Sequence, residues 1–260
     1  HVEGYSSFFW LMLISALGFY NIDLVLASRI LGILYAFLSL FVSLTLTRHN
    51  TYFCGLLLAT NACFSLWALG GLETTAFSFF VFLACSLFSK NHTGKIQLVL
   101  IGFVFCLAAI TRPEGILFFI ITIVFTLLRN KKTLGESLRN TFLLLSGFLT
   151  VYLPYSVWRV LFYGYFFPCT FYVKGDPNIL KFFFGTRYLI HFFILYGAPL
   201  CILLFVKNIR NFLSDNAYIF SLLTIYCFYI VLIGGDHMPG FRFLVPILPL
   251  LYLFLQQTLD

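Results

Sequence analysis

The chain has 260 residues, of which 61% are hydrophobic and 10% charged, and it carries a formal net charge of +7. A soluble domain holds about 45–50% apolar and about 25% charged residues, so the composition excludes a water-soluble enzyme, a disordered chain and a disulfide scaffold and leaves a polytopic membrane protein. The apolar runs are continuous rather than alternating, which predicts an all-α transmembrane fold and not a membrane β-barrel.

A helix rises about 1.5 Å per residue, so about 20 apolar residues cross a hydrocarbon core of about 30 Å. Apolar segments fall at 7–20, 24–47, 52–69, 74–89, 96–110, 115–128, 141–160, 187–206, 217–233 and 243–256. That is about nine or ten elements, several of them short for a full span. Short segments are tolerated where their ends lie in a protein-lined cavity below the membrane surface. Asn61 interrupts the 52–69 segment, which is the one expected not to cross fully. The stretch from Trp158 to Arg187 is dense in aromatics, with Arg159, Lys174, Lys181 and Arg187 among them, and is broken by Pro168 and Pro177. It reads as short amphipathic helices lying in the interface, forming either an aromatic belt or a groove for a long isoprenoid chain with cations at its end for a phosphate. No repeat, heptad or domain boundary is visible, so residues 1–260 read as a single transmembrane helical domain. The chain opens His1-Val2-Glu3-Gly4, with neither Met nor a signal-peptide n-region, and is expected to be an internal piece of a longer protein.

The connections alternate between two kinds. Arg48-His49, Lys90 to Lys95, Arg129 to Arg139 and Lys207 to Arg210 are basic and, by the positive-inside rule, cytoplasmic. The positive charge is thus spread over short connections and forms no single patch for nucleic acid. Gly70 to Glu73, Thr111 to Gly115, residues 159–187 and Gly234 to Gly240 are rich in Gly, Pro, acids and aromatics, and are expected on the extracytoplasmic face. Of seven Cys, six lie in apolar runs and Cys169 in a connection, with no C-x-x-C pair, so neither a disulfide framework nor a zinc site is indicated.

Ionisable groups at membrane depth are costly and point to function. Pro113 breaks the helix between Arg112 and Glu114, and the pair reads in two ways. Arg112 binds an anion while Glu114 orients it or a sugar hydroxyl, or the two close a helix–helix turn with a local ion pair. In Gly234-Gly235-Asp236-His237-Met238-Pro239-Gly240-Phe241-Arg242-Phe243, the planar fork of Arg242 suits a phosphate. Asp236 suits a sugar hydroxyl or a metal, and His237 stands beside it. The alternative is a solvated hairpin whose Arg meets lipid headgroups. Glu73, after Gly70-Gly71, faces a cavity or caps a helix at the interface.

The ordered set Val2-Glu3-Gly4-Tyr5-Ser6, Gly71-Leu72-Glu73-Thr74, Arg112-Pro113-Glu114-Gly115, Tyr163-Gly164 with Pro168-Cys169-Thr170-Phe171-Tyr172-Val173-Lys174, and Gly234 through Phe243 resembles the bacterial GT-C class of membrane glycosyltransferases. It is most similar to the mycobacterial terminal arabinofuranosyltransferase-like family, with a more distant likeness to the lipid A aminoarabinose transferases. Cys169 stands where that family has Asn, and His237 where it has Phe. The resemblance implies a multi-helix fold in the bacterial plasma membrane and an extracytoplasmic site. It further implies a polyprenyl-phosphate sugar donor, a cell-envelope glycan or lipid acceptor, and inversion at the sugar carbon. It places the catalytic carboxylate in a loop upstream of His1, with Glu3, Glu73 and Asp236 as supporting acids. Arg112, Lys174, Arg187 and Arg242 become the donor-phosphate cations, and Glu114, Tyr172 and His237 substrate-binding groups. No cofactor is expected, and a divalent metal stays open. A secondary transporter and a non-catalytic membrane scaffold are the competing readings.

Overall fold

A computed structural model describes residues 5–45, 52–90, 94–129, 134–166 and 179–259. The described residues are helical, with no strand among them. In chain order the helices are α1 (Phe8–Phe19), α2 (Leu24–Thr45), α3 (Phe53–Thr60), α4 (Ala62–Leu69), α5 (Thr74–Ser89), α6 (Lys95–Thr111), α7 (Gly115–Arg129), α8 (Leu134–Tyr163), α9 (Ile179–Tyr196), α10 (Ile209–Asp215), α11 (Ala217–Ile233) and α12 (Leu248–Gln256). Two 3-10 segments, Ala198–Phe205 and Val245–Ile247, precede α10 and α12.

The breaks have local causes. Asp23 starts α2, its carboxylate accepting the Leu26 N–H at 2.7 Å. Asn61 ends α3 in an extended conformation, and its side-chain oxygen caps α4 by accepting the Phe64 N–H at 3.0 Å. The expected 52–69 segment is therefore two helices of eight residues, as the polar side chain inside an apolar run foreshadows. Arg112, ahead of Pro113, is forced out of the helical region to φ −149° and ψ 135°. Gly234 closes α11 in the left-handed conformation at φ +88°.

Among the described residues, α2, α8 and α9 are long and apolar enough to cross a membrane alone, giving three spans, or four if α10 and α11 are counted as one pair bent by 88°. Most of the expected segments are thus helices shorter than a full crossing. The Trp158–Arg187 stretch differs from expectation at both ends. Trp158 through Tyr163 finish the 30-residue α8, and Ile179 through Arg187 open α9. Their charges are few enough that the flanking apolar residues carry the helices through. Lys174 and Tyr172, like Glu3, lie outside the described residues.

The described chain forms two compact units. The first takes described residues of 5–28 and 83–166, and the second those of 29–82 and 179–259. The chain passes from one to the other within α2 and within α5, so no linker marks the division at those two crossings. In the first unit α6 and α8 pack backbone to backbone: a Cβ at Gly102 would collide with the Leu144 carbonyl, and one at Gly147 with the Val99 carbonyl. Close approach through small residues is how helices gain dispersion contact in an apolar solvent, where burial of oily surface offers little advantage. Phe119 stacks on Phe148 at 4.1 Å beside the buried Phe105 and Leu144. In the second unit Gly185 of α9 fits against the Val231 carbonyl of α11. Between α3 and α12, the Gln256 side chain accepts the Cys54 N–H at 2.8 Å. The Asn61 amide donates to the Tyr252 hydroxyl at 2.7 Å. Each of these polar contacts is buried, where an unmade hydrogen bond would be expensive.

Candidate functional site: two arginine–carboxylate turns

Both sequence-predicted arginines that lie at helix breaks are held by an acid close in sequence. In the first unit, the α6–α7 turn is closed by the Gly115 N–H donating to the Arg112 carbonyl at 2.9 Å. Gly115 has to be glycine, because a Cβ there would lie 2.6 Å from the Ala108 and Ala109 backbone. The turn directs both side chains to one place. Arg112 Nη2 lies 3.3 Å from Glu114 Oε1 and Nε lies 3.4 Å from Oε2, with the side chains 7% and 12% exposed. The local ion pair between the two side chains is present. A buried guanidinium and carboxylate satisfy one another in this way at far lower cost than either alone.

In the second unit, the turn after α11 is built on an unusual backbone. Gly234, Gly235, Gly240 and Phe241 have φ of +88°, +74°, +78° and +48°. Only glycine adopts such angles without penalty. Phe241 does so while its ring packs among Tyr188, Phe192 and Tyr196 of α9 at centroid distances of 5.2, 5.5 and 6.0 Å. Those contacts offset a backbone cost of order 1–3 kcal/mol for a non-glycine residue in this region. The turn folds back so that Arg242 grips Asp236 in a fork. Nε is 2.8 Å from Oδ2 and Nη2 is 3.3 Å from Oδ1, with the side chains 14% and 7% exposed. Charge-assisted bidentate bonds of this type are among the stronger and more directional ones available to a protein. Aromatic rings flank the guanidinium: Cζ lies 5.1 Å from the Phe243 centroid and 5.8 Å from that of Trp67 in α4. The Phe243 N–H donates to the Tyr188 hydroxyl at 3.3 Å, tying the end of the turn to α9.

The other expected site residues are placed as follows. Glu73 is buried at the start of α5, its carbonyl accepting the Phe77 N–H at 2.9 Å. Arg187 is exposed on α9 and His237 is exposed within the turn. Neither is joined to the Asp236–Arg242 pair by an ion pair or hydrogen bond. No family model, curated protein or solved structure matches the chain.

Two residues that hold this turn escape sequence reasoning. Trp67 sits inside an apolar run and reads as one more interfacial aromatic, yet its indole N–H donates to the Gly240 carbonyl 173 positions away, at 2.8 Å. Tyr188 looks alike for the same reason. Contacts so distant in the chain leave no local spacing to detect.

Proposed function

We propose that the protein is a membrane glycosyltransferase that moves a sugar from a polyprenyl-phosphate donor to a glycan or lipid acceptor of the bacterial cell envelope. The reaction takes place at the extracytoplasmic face of the plasma membrane. The observation that carries this reading is the Asp236–Arg242 fork in a turn with four left-handed residues, Gly234, Gly235, Gly240 and Phe241. In the proposed mechanism the acceptor hydroxyl attacks the anomeric carbon and gives its proton to a carboxylate base. The bond between that carbon and the phosphate oxygen breaks, the configuration inverts, and polyprenyl phosphate leaves. Negative charge grows on the phosphate as it departs, and a preorganised guanidinium stabilises it without having to reorient. Arg242 gives Asp236 one Nε and one Nη2 contact, so further N–H groups remain for phosphate oxygens. The lone pairs left on Asp236 accept a sugar hydroxyl. Arg112 with Glu114 is a second pair of the same chemistry, and Glu3, Glu73, Lys174, Arg187, Tyr172 and His237 complete the residues that the motifs assign to acids, phosphate and substrate.

Two features favour this reading over a secondary transporter. Transporters of the inverted-repeat type place ionisable groups near the bilayer midplane between related halves. Here the paired charges lie in the motif-bearing connections expected on one face, and the sequence has no repeat. A passive scaffold has no need of so many acids and arginines in the connections expected on one face. The test is transfer by the purified, membrane-reconstituted protein offered several polyprenyl-phosphate sugars. Arg242→Ala is expected to lower kcat/KM by about a hundredfold, as removal of a transition-state donor does, with the melting temperature checked separately. Failure of every polyprenyl-phosphate sugar as donor in an acceptor-supplemented membrane extract overturns the proposal.

A further inference from the structure

Arginine side chains are long and lose much rotamer freedom when they bind a ligand. In the second unit that freedom is already removed from three directions. Asp236 grips the edge of the Arg242 fork, Phe243 covers the guanidinium, and the ring of Trp67 faces it at 5.8 Å. Trp67 does more than cover a face. It is 7% exposed, and its N–H holds the Gly240 carbonyl at 2.8 Å, two residues before Arg242. A Cβ at Gly240 would collide with Leu66 and stand 3.1 Å from Trp67 Nε1, so α4 and the turn meet with no room between them. One side chain therefore fixes both the backbone that carries Arg242 and the face of its head group.

We propose that Trp67 is a positioning residue for the donor phosphate, presetting Arg242 through the Gly240 carbonyl and the guanidinium face. The inference rests on the reading of Arg242 as a phosphate ligand. Trp67 itself touches no reacting atom. Its action is on donor binding, so it lowers the KM for the donor and leaves the acceptor KM unchanged.

The experiment is a double-variant cycle on the reconstituted protein, with farnesyl phosphate as the binding probe. Trp67→Phe keeps a ring under the guanidinium and removes the N–H. It is expected to weaken probe binding by about five- to tenfold, the scale of one buried hydrogen bond. It should raise the donor KM by the same factor, leave kcat within about twofold, and have no further effect in an Arg242→Ala background. In the parent protein carrying 5-fluorotryptophan, farnesyl phosphate is expected to move the fluorine resonance of Trp67. That measurement needs no variant to fold. Equal weakening by Trp67→Phe in both backgrounds, or an unmoved Trp67 resonance, overturns the positioning role alone. If Arg242→Ala binds farnesyl phosphate as tightly as the parent, the phosphate reading of Arg242 falls, and the positioning role falls with it.

Discussion

At Gly235 an added Cβ would lie 2.8 Å from Tyr188 Cγ, on a backbone with φ of +74°. Gly235→Ala therefore combines a clash with a left-handed conformation that side chains resist, and is expected to cost about 2–3 kcal/mol. Gly94, at the start of α6, has open space around its Cβ position. Gly94→Ala is expected to be near neutral in the same thermal-unfolding assay. The buried Arg112–Glu114 fork makes a sharper prediction. Arg112→Ala leaves a carboxylate 12% exposed without its fork partner, which should cost about 3–5 kcal/mol. The Arg112→Ala, Glu114→Ala double variant should be less destabilised than the sum of the two single variants, because neither charge is left behind. Additive losses in chemical denaturation would mean that each group's chief partner lies elsewhere.

Between helices, the controlling contacts are small residues and single polar side chains. Gly102 and Gly147 let α6 and α8 touch through their backbones, so Gly147→Leu is expected to separate the pair and lower the melting temperature by more than ten degrees or prevent folding. Asn61 serves α4 as a cap and α12 as a donor to Tyr252. Asn61→Ala should lose about 2–3 kcal/mol, the sum of a cap and a buried hydrogen bond, while Asn61→Asp retains the cap. These elements also show what the sequence makes legible. Segment 74–89 is a helix over the expected residues, because a continuous apolar run bounded by polar residues admits little else in lipid. The breaks at Asn61 and Pro113 follow from local stereochemistry, and so does the pairing of Arg112 with an acid two residues on. The lengths of α8 and α9 are less legible. The aromatic and charged residues of 158–187 argue for interruption, yet α8 runs through Pro154 to Tyr163 and α9 opens at Ile179. Within one helix, the neighbouring turns supply more hydrogen bonds than one proline removes. Least legible is the grip on Arg242, since Trp67 and Asp236 meet it only after the second unit has folded.

For the molecule as a whole, the alternation of basic and motif-bearing connections predicts an orientation in the membrane. Lys207 and His237 are both exposed and should report it. With the native cysteines replaced, Lys207→Cys is expected to react with an impermeant maleimide only from the cytoplasmic side and His237→Cys only from the opposite one. Labelling of position 207 from outside would reverse the assignment. The unequal helices of the first unit carry a further consequence. At 17 and 15 residues, α6 and α7 reach about 25 and 22 Å, whereas the adjoining α8, with 30 residues, reaches about 45 Å. No slab of hydrocarbon about 30 Å thick matches all three. If α6 and α7 cross beside α8, the surrounding lipid has to thin next to the short pair while α8 tilts, at a cost of a fraction of a kcal/mol per ångström of hydrophobic mismatch. Acyl-chain length thus becomes a variable of stability. In vesicles of 14-carbon lipids the protein should melt several degrees higher than in vesicles of 20-carbon lipids, and a melting temperature indifferent to chain length would mean that α6 and α7 are shielded from lipid.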